Sequence, residues 1–157
     1  MTVPSQPPDL AARAAAVAET ATTQAGWDPA IWAALEPASD VAVACSGGAD
    51  SLCLLLCAAC WLPPRGKTVR LLHFNHRTQA VSAAVATWVS DLGQALGVAV
   101  EIGQRRASGP ASEAALRQAR LAWLAEVHRG APVLLAHHAD DAAETLLMRL
   151  GTGSGLD

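Results

Sequence analysis

The stretch Val41-Ala42-Val43-Ala44-Cys45-Ser46-Gly47-Gly48-Ala49-Asp50-Ser51, followed by the apolar run Leu52 to Leu62, decides the fold. Val41 to Cys45 is short, apolar and valine-rich, as a strand covered on both faces should be. Gly47 and Gly48 lack a Cβ, so a ligand can lie against bare backbone there. The following helix opens with free N–H groups and the positive end of its dipole, which favours an anion such as phosphate. Ser46 and Ser51 add hydroxyl donors. Asp50 would repel a phosphate directly, so its use at such a turn is to hold Mg²⁺ against one. An ordinary strand-to-helix turn with a Ser or Asp cap is the plainer reading of the same residues. A Walker A loop is excluded, because no lysine follows the glycines.

Outward from this stretch the pattern alternates. Residues 1 to 8 hold three prolines and read as a loose tail. Asp9 to about Gln24 is alanine-rich and helical. Asp28-Pro29 predicts a short helix to Leu35, with Trp27, Ile31, Trp32 and Leu35 as its buried stripe. After the glycine turn, strands are expected at Val69–Asn75, Val98–Ile102 and Val133–Ala136. Helices are expected from Val81 to Leu96, from the N-cap Ser112 to about His128, and from Asp141 to Leu150. Such alternation predicts one parallel sheet with helices on both faces. The organisation expected is an N-terminal tail with helices over 1–38 and one α/β domain over 39–157. Ligands of such sheets bind beyond the carboxyl ends of the strands. The ends Ser46-Gly47-Gly48, His73-Phe74-Asn75-His76 and His137-His138-Ala139-Asp140-Asp141 should therefore converge.

Composition narrows the function classes. The chain has 157 residues, 52% of them hydrophobic, which excludes disorder and suits one domain with a real core. The longest apolar run is too short for a membrane span, which takes about 20 residues. No signal sequence is recognisable at the start. All four cysteines lie between Cys45 and Cys60, which is no disulfide framework and points to the cytoplasm. Cys57 and Cys60 have redox spacing but sit among leucines, and core thiols are the expectation. The net charge of −3 argues against a domain that grips nucleic acid unaided.

Asp141 and Glu144 form a second constellation. Their spacing suits a capping box, and equally one helical face that receives a cation such as an amine or metal. Arg117 and Arg120 lie three apart on a helix, as surface charges or as partners for phosphate.

The motifs S-G-G-A-D-S, H-F-N-H, R-Q-A-R-L, H-H-A-D-D-A-A-E-T-L-L-M-R-L and G-S-G-L stand here in that order. Their order and spacing over residues 41 to 156 resemble tRNA(Ile)-lysidine synthetase. The resemblance implies a Rossmann-like PP-loop ATP-pyrophosphatase fold of the adenine nucleotide α-hydrolase type. It also implies adenylation of C2 of the wobble cytidine by ATP, in an isoleucine tRNA with a CAU anticodon. The amine of free L-lysine then displaces AMP. By the same resemblance Ser46, Gly47, Gly48, Ala49, Asp50 and Ser51 would hold ATP, with Asp50 on Mg²⁺. Phe74, Asn75 and His137 would lie by the nucleotide. Arg117 would stabilise the reacting phosphate, and Asp141 and Glu144 would bind lysine. Where the family shows H-G-L-R-P-E-S after the second strand, this chain reads His76-Arg77-Thr78-Gln79-Ala80-Val81-Ser82, and Leu121 replaces a tyrosine. Family members continue past the equivalent of Asp157 into tRNA-binding regions, so the chain reads as the catalytic-domain portion of a longer enzyme. A related tRNA thiolation enzyme and a non-catalytic nucleotide-binding module remain as alternatives.

Overall fold

A computed structural model describes Ala12, Ala16 and residues 29–78, 81–107 and 111–136. The elements in order are α1 (Pro29–Leu35), β1 (Asp40–Ala44), α2 (Ala49–Trp61), β2 (Thr68–Asn75), α3 (Ser82–Ala95), β3 (Ala99–Gln104), α4 (Glu113–Val127) and β4 (Val133–Leu135). Each agrees with its sequence expectation to within about three residues. Ser112 caps α4 as expected, accepting from the Ala115 N–H at 3.3 Å. Of the helix expected from Asp9 to about Gln24 only Ala12 and Ala16 are described, both helical, and the helix expected from Asp141 to Leu150 lies outside the described residues.

All pairings are parallel, in the order β3-β2-β1-β4. The chain steps outward from β1 to β2 to β3. The α4 connection then returns it to the far side of β1. The strand order therefore reverses between β1 and β4, where an open α/β sheet leaves its ligand crevice.

Strand alternation divides the core between the two faces. Val41, Val43, Val69 and Leu71 are buried in one cluster with Leu55 and Ala58 of α2 and Val89 and Leu92 of α3. Ala42 and Leu72 point to the other face and pack with Leu124 of α4. Cys57 and Cys60, expected in the core, are only half-buried and Cys53 is exposed. The helix buries the stripe Ser51, Leu55 and Ala58 instead, which turns the cysteines to its flanks. Burial still pushes the Cys57 thiol up to about 11, with Cys53 and Cys60 acting in the same direction.

Two cations at the start of β2 tie helices to the sheet. Lys67 is buried, and its Nζ donates to the carbonyls of Leu35, Glu36 and Ala38 at 2.8, 2.9 and 2.6 Å, at the end of α1. Arg70 reaches the carbonyls of Val127 and His128, at the end of α4, and pairs with Asp40 at 2.6 Å. Both place a positive charge where a helix dipole is negative. In α1, Leu35 is buried and Trp32 meets Trp61 edge-on at 4.9 Å, while Ile31 stays exposed.

Candidate functional site

The loop after β1 is shaped by one hydroxyl. Ser51 Oγ donates to the Gly48 carbonyl at 2.9 Å and accepts from the Ser46 N–H at 3.1 Å. The Ser46 hydroxyl lies 3.1 Å from Ser51 Oγ and accepts from the Gly48 N–H at 3.3 Å. Since the Ser51 proton goes to a carbonyl, which can only accept, the Ser46 proton is the one between the two hydroxyls. Ser46, Gly48 and Ser51 are thus held in one closed set of hydrogen bonds around a buried serine.

Gly47 takes a φ of +91°, and a Cβ there would lie 3.0 Å from the side chain of Val85 on α3. A side chain is disfavoured both by the left-handed backbone and by the valine beneath. Gly48 is the N-cap of α2 and no side chain caps that helix. The Ser or Asp cap of the plainer sequence reading is therefore absent from this turn. Ser46, Gly48, Ala49 and Asp50 are exposed on the rim.

Beside the loop, at the carboxyl ends of β1, β2 and β4, a cavity of about 90 Å³ opens under α4. Its walls include Ser46, Ser51, Phe74, His76, Arg120 and Trp123. At roughly 30 Å³ per water it takes a few waters or part of a ring. Phe74 meets His76 edge-on at 5.2 Å and Trp123 at 5.6 Å. Gly103 of β3 lets the indole in, since a Cβ there would stand 2.2 Å from Trp123 Cε2.

Among the described residues, two polar atoms facing this region are buried without a hydrogen-bond partner, His76 Nδ1 and Arg120 Nε. Buried polar atoms are rarely left unpaired, so each marks a place for water or a ligand. Burial lowers the His76 pKa from its ordinary value, and the charges of Arg120, His73 and Arg105 push the same way. Burial also lowers that of Arg120, as does the charge of Arg117.

The residues proposed from sequence separate in space. Ser46 to Ser51 form the loop, and Phe74 lines the cavity. Asn75 does not line it. Its amide donates to the Ser82 carbonyl at 3.2 Å and its Oδ1 accepts from the Arg77 N–H at 2.9 Å. Arg117 is exposed, one turn nearer the start of α4 than Arg120, which lines the cavity. His137, Asp141 and Glu144 lie outside the described residues.

Sequence reasoning gave no site role to His76 or Trp123. The spacing of Arg120, Trp123 and Leu124 on one face of α4 is the signal that could have found Trp123, and the place of His76 just past the end of β2 is the one for the histidine. Position 77 corresponds to the glycine of the H-G-L-R-P-E-S pattern, and Arg77 there has a φ of 54°. The backbone keeps the left-handed turn that glycine would supply, and the Asn75 side chain holds it.

A family model described as a PP-loop domain matches residues 19–157. The tRNA(Ile)-lysidine synthase of Bordetella pertussis is 48% identical over 130 residues, 78% of this chain and 40% of that protein. That of Alkalilimnicola ehrlichii is 44% identical over 127 residues, covering 28% of its length. The chain thus spans less than half the length of these relatives. Among solved structures, a U34-tRNA thiolase from Methanococcus maripaludis superposes with a TM-score of 0.58 at 12% identity, over 92% of this chain and 51% of that one. That likeness is one of fold.

Proposed function

The chain belongs to the PP-loop domain family, an ATP-binding fold, and from that membership we propose that it is the ATP-activating part of a tRNA(Ile)-lysidine synthase. The observation that carries the reading is the Ser46–Ser51 loop, closed around a buried hydroxyl at the carboxyl end of β1 and opening on an uncapped helix. Similarity at 48% identity to the Bordetella protein supports the same assignment.

In this reading residues 39–157 form the ATP-pyrophosphatase domain. The loop N–H groups and the dipole of α2 hold the β- and γ-phosphates. The O2 oxygen of a wobble cytidine attacks the α-phosphate and pyrophosphate leaves. The amine of lysine then attacks C2, loses a proton, and AMP departs with the oxygen. Phe74, Asn75 and His137 lie on the nucleotide side. Arg117 meets the charge developing on the α-phosphate. Asp141 and Glu144 neutralise the lysine ammonium groups, since a desolvated cation needs a partner.

Mg²⁺ fits this loop in a limited way. No group of three ligand side chains gathers among the described residues. Among the described residues Asp50 is the carboxylate at this turn, and Mg²⁺ is commonly held by one or two carboxylates with substrate phosphates and water. Bound there, the ion would neutralise phosphate charge.

The thiolation alternative finds no support in the cysteines, which are confined to Cys45 and the flanks of α2. ATP–pyrophosphate exchange, with and without isoleucine tRNA, tests the proposal in the enzyme that contains this chain. Exchange that requires the tRNA is expected. ATP binding without any exchange would favour the non-catalytic module. Asp141→Asn and Glu144→Gln keep helix-capping geometry and remove charge. They should raise the lysine requirement sharply with little change in melting temperature.

A further inference from the structure

We propose that the loops after β2 and β3, with the start of α4, form a basic rim that holds the phosphate backbone of RNA beside the nucleotide crevice. The inference rests on the reading of that crevice given above, and deepens it by locating the polynucleotide.

The rim is visible only in three dimensions. The described lysines and arginines fall into two groups at opposite ends of the sheet. At the amino end, each is spent on the fold. Lys67 binds three carbonyls, and Arg70 binds Asp40 and the end of α4. Arg129 pairs with Glu101, while Arg65 donates to the Trp61 carbonyl and covers its ring. At the carboxyl end stand Arg77, Arg105, Arg106, Arg117 and Arg120. Arg77, Arg106, Arg117 and Arg120 form no ion pair with a described carboxylate.

The five are contiguous. Arg77 Nη1 lies 3.4 Å from the carbonyls of Arg105 and Arg106. Arg105 Nε donates to the His76 carbonyl at 2.9 Å. The charges of Arg105 and Arg120 both bear on His76, and that of Arg117 on Arg120. Like charges therefore meet around His76 and Arg120, which both line the cavity, and Arg120 Nε is buried there without a hydrogen-bond partner among the described residues. A row of phosphates relieves that repulsion, whereas one nucleotide triphosphate at the Ser46–Ser51 loop would meet only part of it.

A protein of net charge −3 is not expected to grip RNA strongly. Its role here is positioning: phosphate contacts set register while carrying little sequence information. An acidic protein partner is the competing occupant of such a patch.

The test measures binding of the full chain to a labelled RNA stem–loop of generic sequence across a salt series. Arg106→Ala removes an exposed charge that makes no side-chain hydrogen bond among the described residues. Arg77→Ala removes a second, and melting temperatures check that each variant folds. Each substitution should lower the slope of log affinity against log salt by about 1. Arg129→Ala, at the opposite end, should leave the slope unchanged. Equal slopes for Arg106→Ala and the parent would overturn the proposal, as would loss of polyglutamate binding with RNA binding intact. ATP affinity, measured separately by calorimetry, should be unchanged in Arg106→Ala. A parent that binds RNA through this rim but fails to bind ATP would contradict the nucleotide reading and leave the rim standing.

Discussion

Gly103 and Trp123 meet so closely that a Cβ on residue 103 would lie 2.2 Å from the indole Cε2. The absence of a methyl on β3 is thus what seats the indole under α4 and forms one wall of the cavity beside the Ser46–Ser51 loop.

Gly103→Ala should push the indole off its seat. Overpacking of this kind costs about 1–3 kcal/mol. Urea unfolding should show a loss in that range. Trp123→Leu in the same chain should recover part of it, because the smaller side chain vacates the space. An unchanged unfolding midpoint in Gly103→Ala would mean that the indole swings away freely.

Ser51→Ala removes the hydroxyl that closes the loop. The Ser46 N–H and the Gly48 carbonyl each lose a partner at 3.1 and 2.9 Å. The expected loss of stability is about 1–2 kcal/mol. If the loop binds phosphate, calorimetry should show a larger proportional loss in ATP affinity than in the affinity of Ser112→Ala, a cap removed from the site.

His76 should make the fold acid-sensitive. Burial and the surrounding charges lower its pKa from 6.5, so the folded chain takes up the proton at a lower pH than the unfolded one. The unfolded chain takes up the proton first as pH falls through 6.5, and stability falls with it. Unfolding free energies measured from pH 7.5 to 5.5 should decline in the parent and decline less in His76→Gln. Parallel curves for the two proteins would show that the ring does not titrate in this way.

Lys67→Met keeps the aliphatic stem but leaves the three carbonyls at 2.6 to 2.9 Å without their cation. Hydrogen bonds to a charged group contribute about 1.5–3 kcal/mol, and a loss in that range is expected. The helix Pro29–Leu35 should loosen first. Tryptophan fluorescence should report it, because the contact of Trp32 with Trp61 holds that helix to α2.

Local chemistry alone determined much of this protein. Valine-rich runs bounded by Gly and Pro placed the four described strands. The strand-to-helix turn at Ser46 to Ser51 and the cap at Ser112 were legible because periodicity and capping depend only on near neighbours. Other features came only from the tertiary structure. The return of α4 across the sheet puts the reversal of strand order between β1 and β4. It also brings Arg120 and Trp123, rather than Arg117, into the cavity wall. The left-handed turn at Arg77 depends on an Asn75 side chain and on carbonyls from another loop. Net charge is a sum over the chain and carries no positions. Only folding separated the cations at the amino end of the sheet from the five arginines at its carboxyl end.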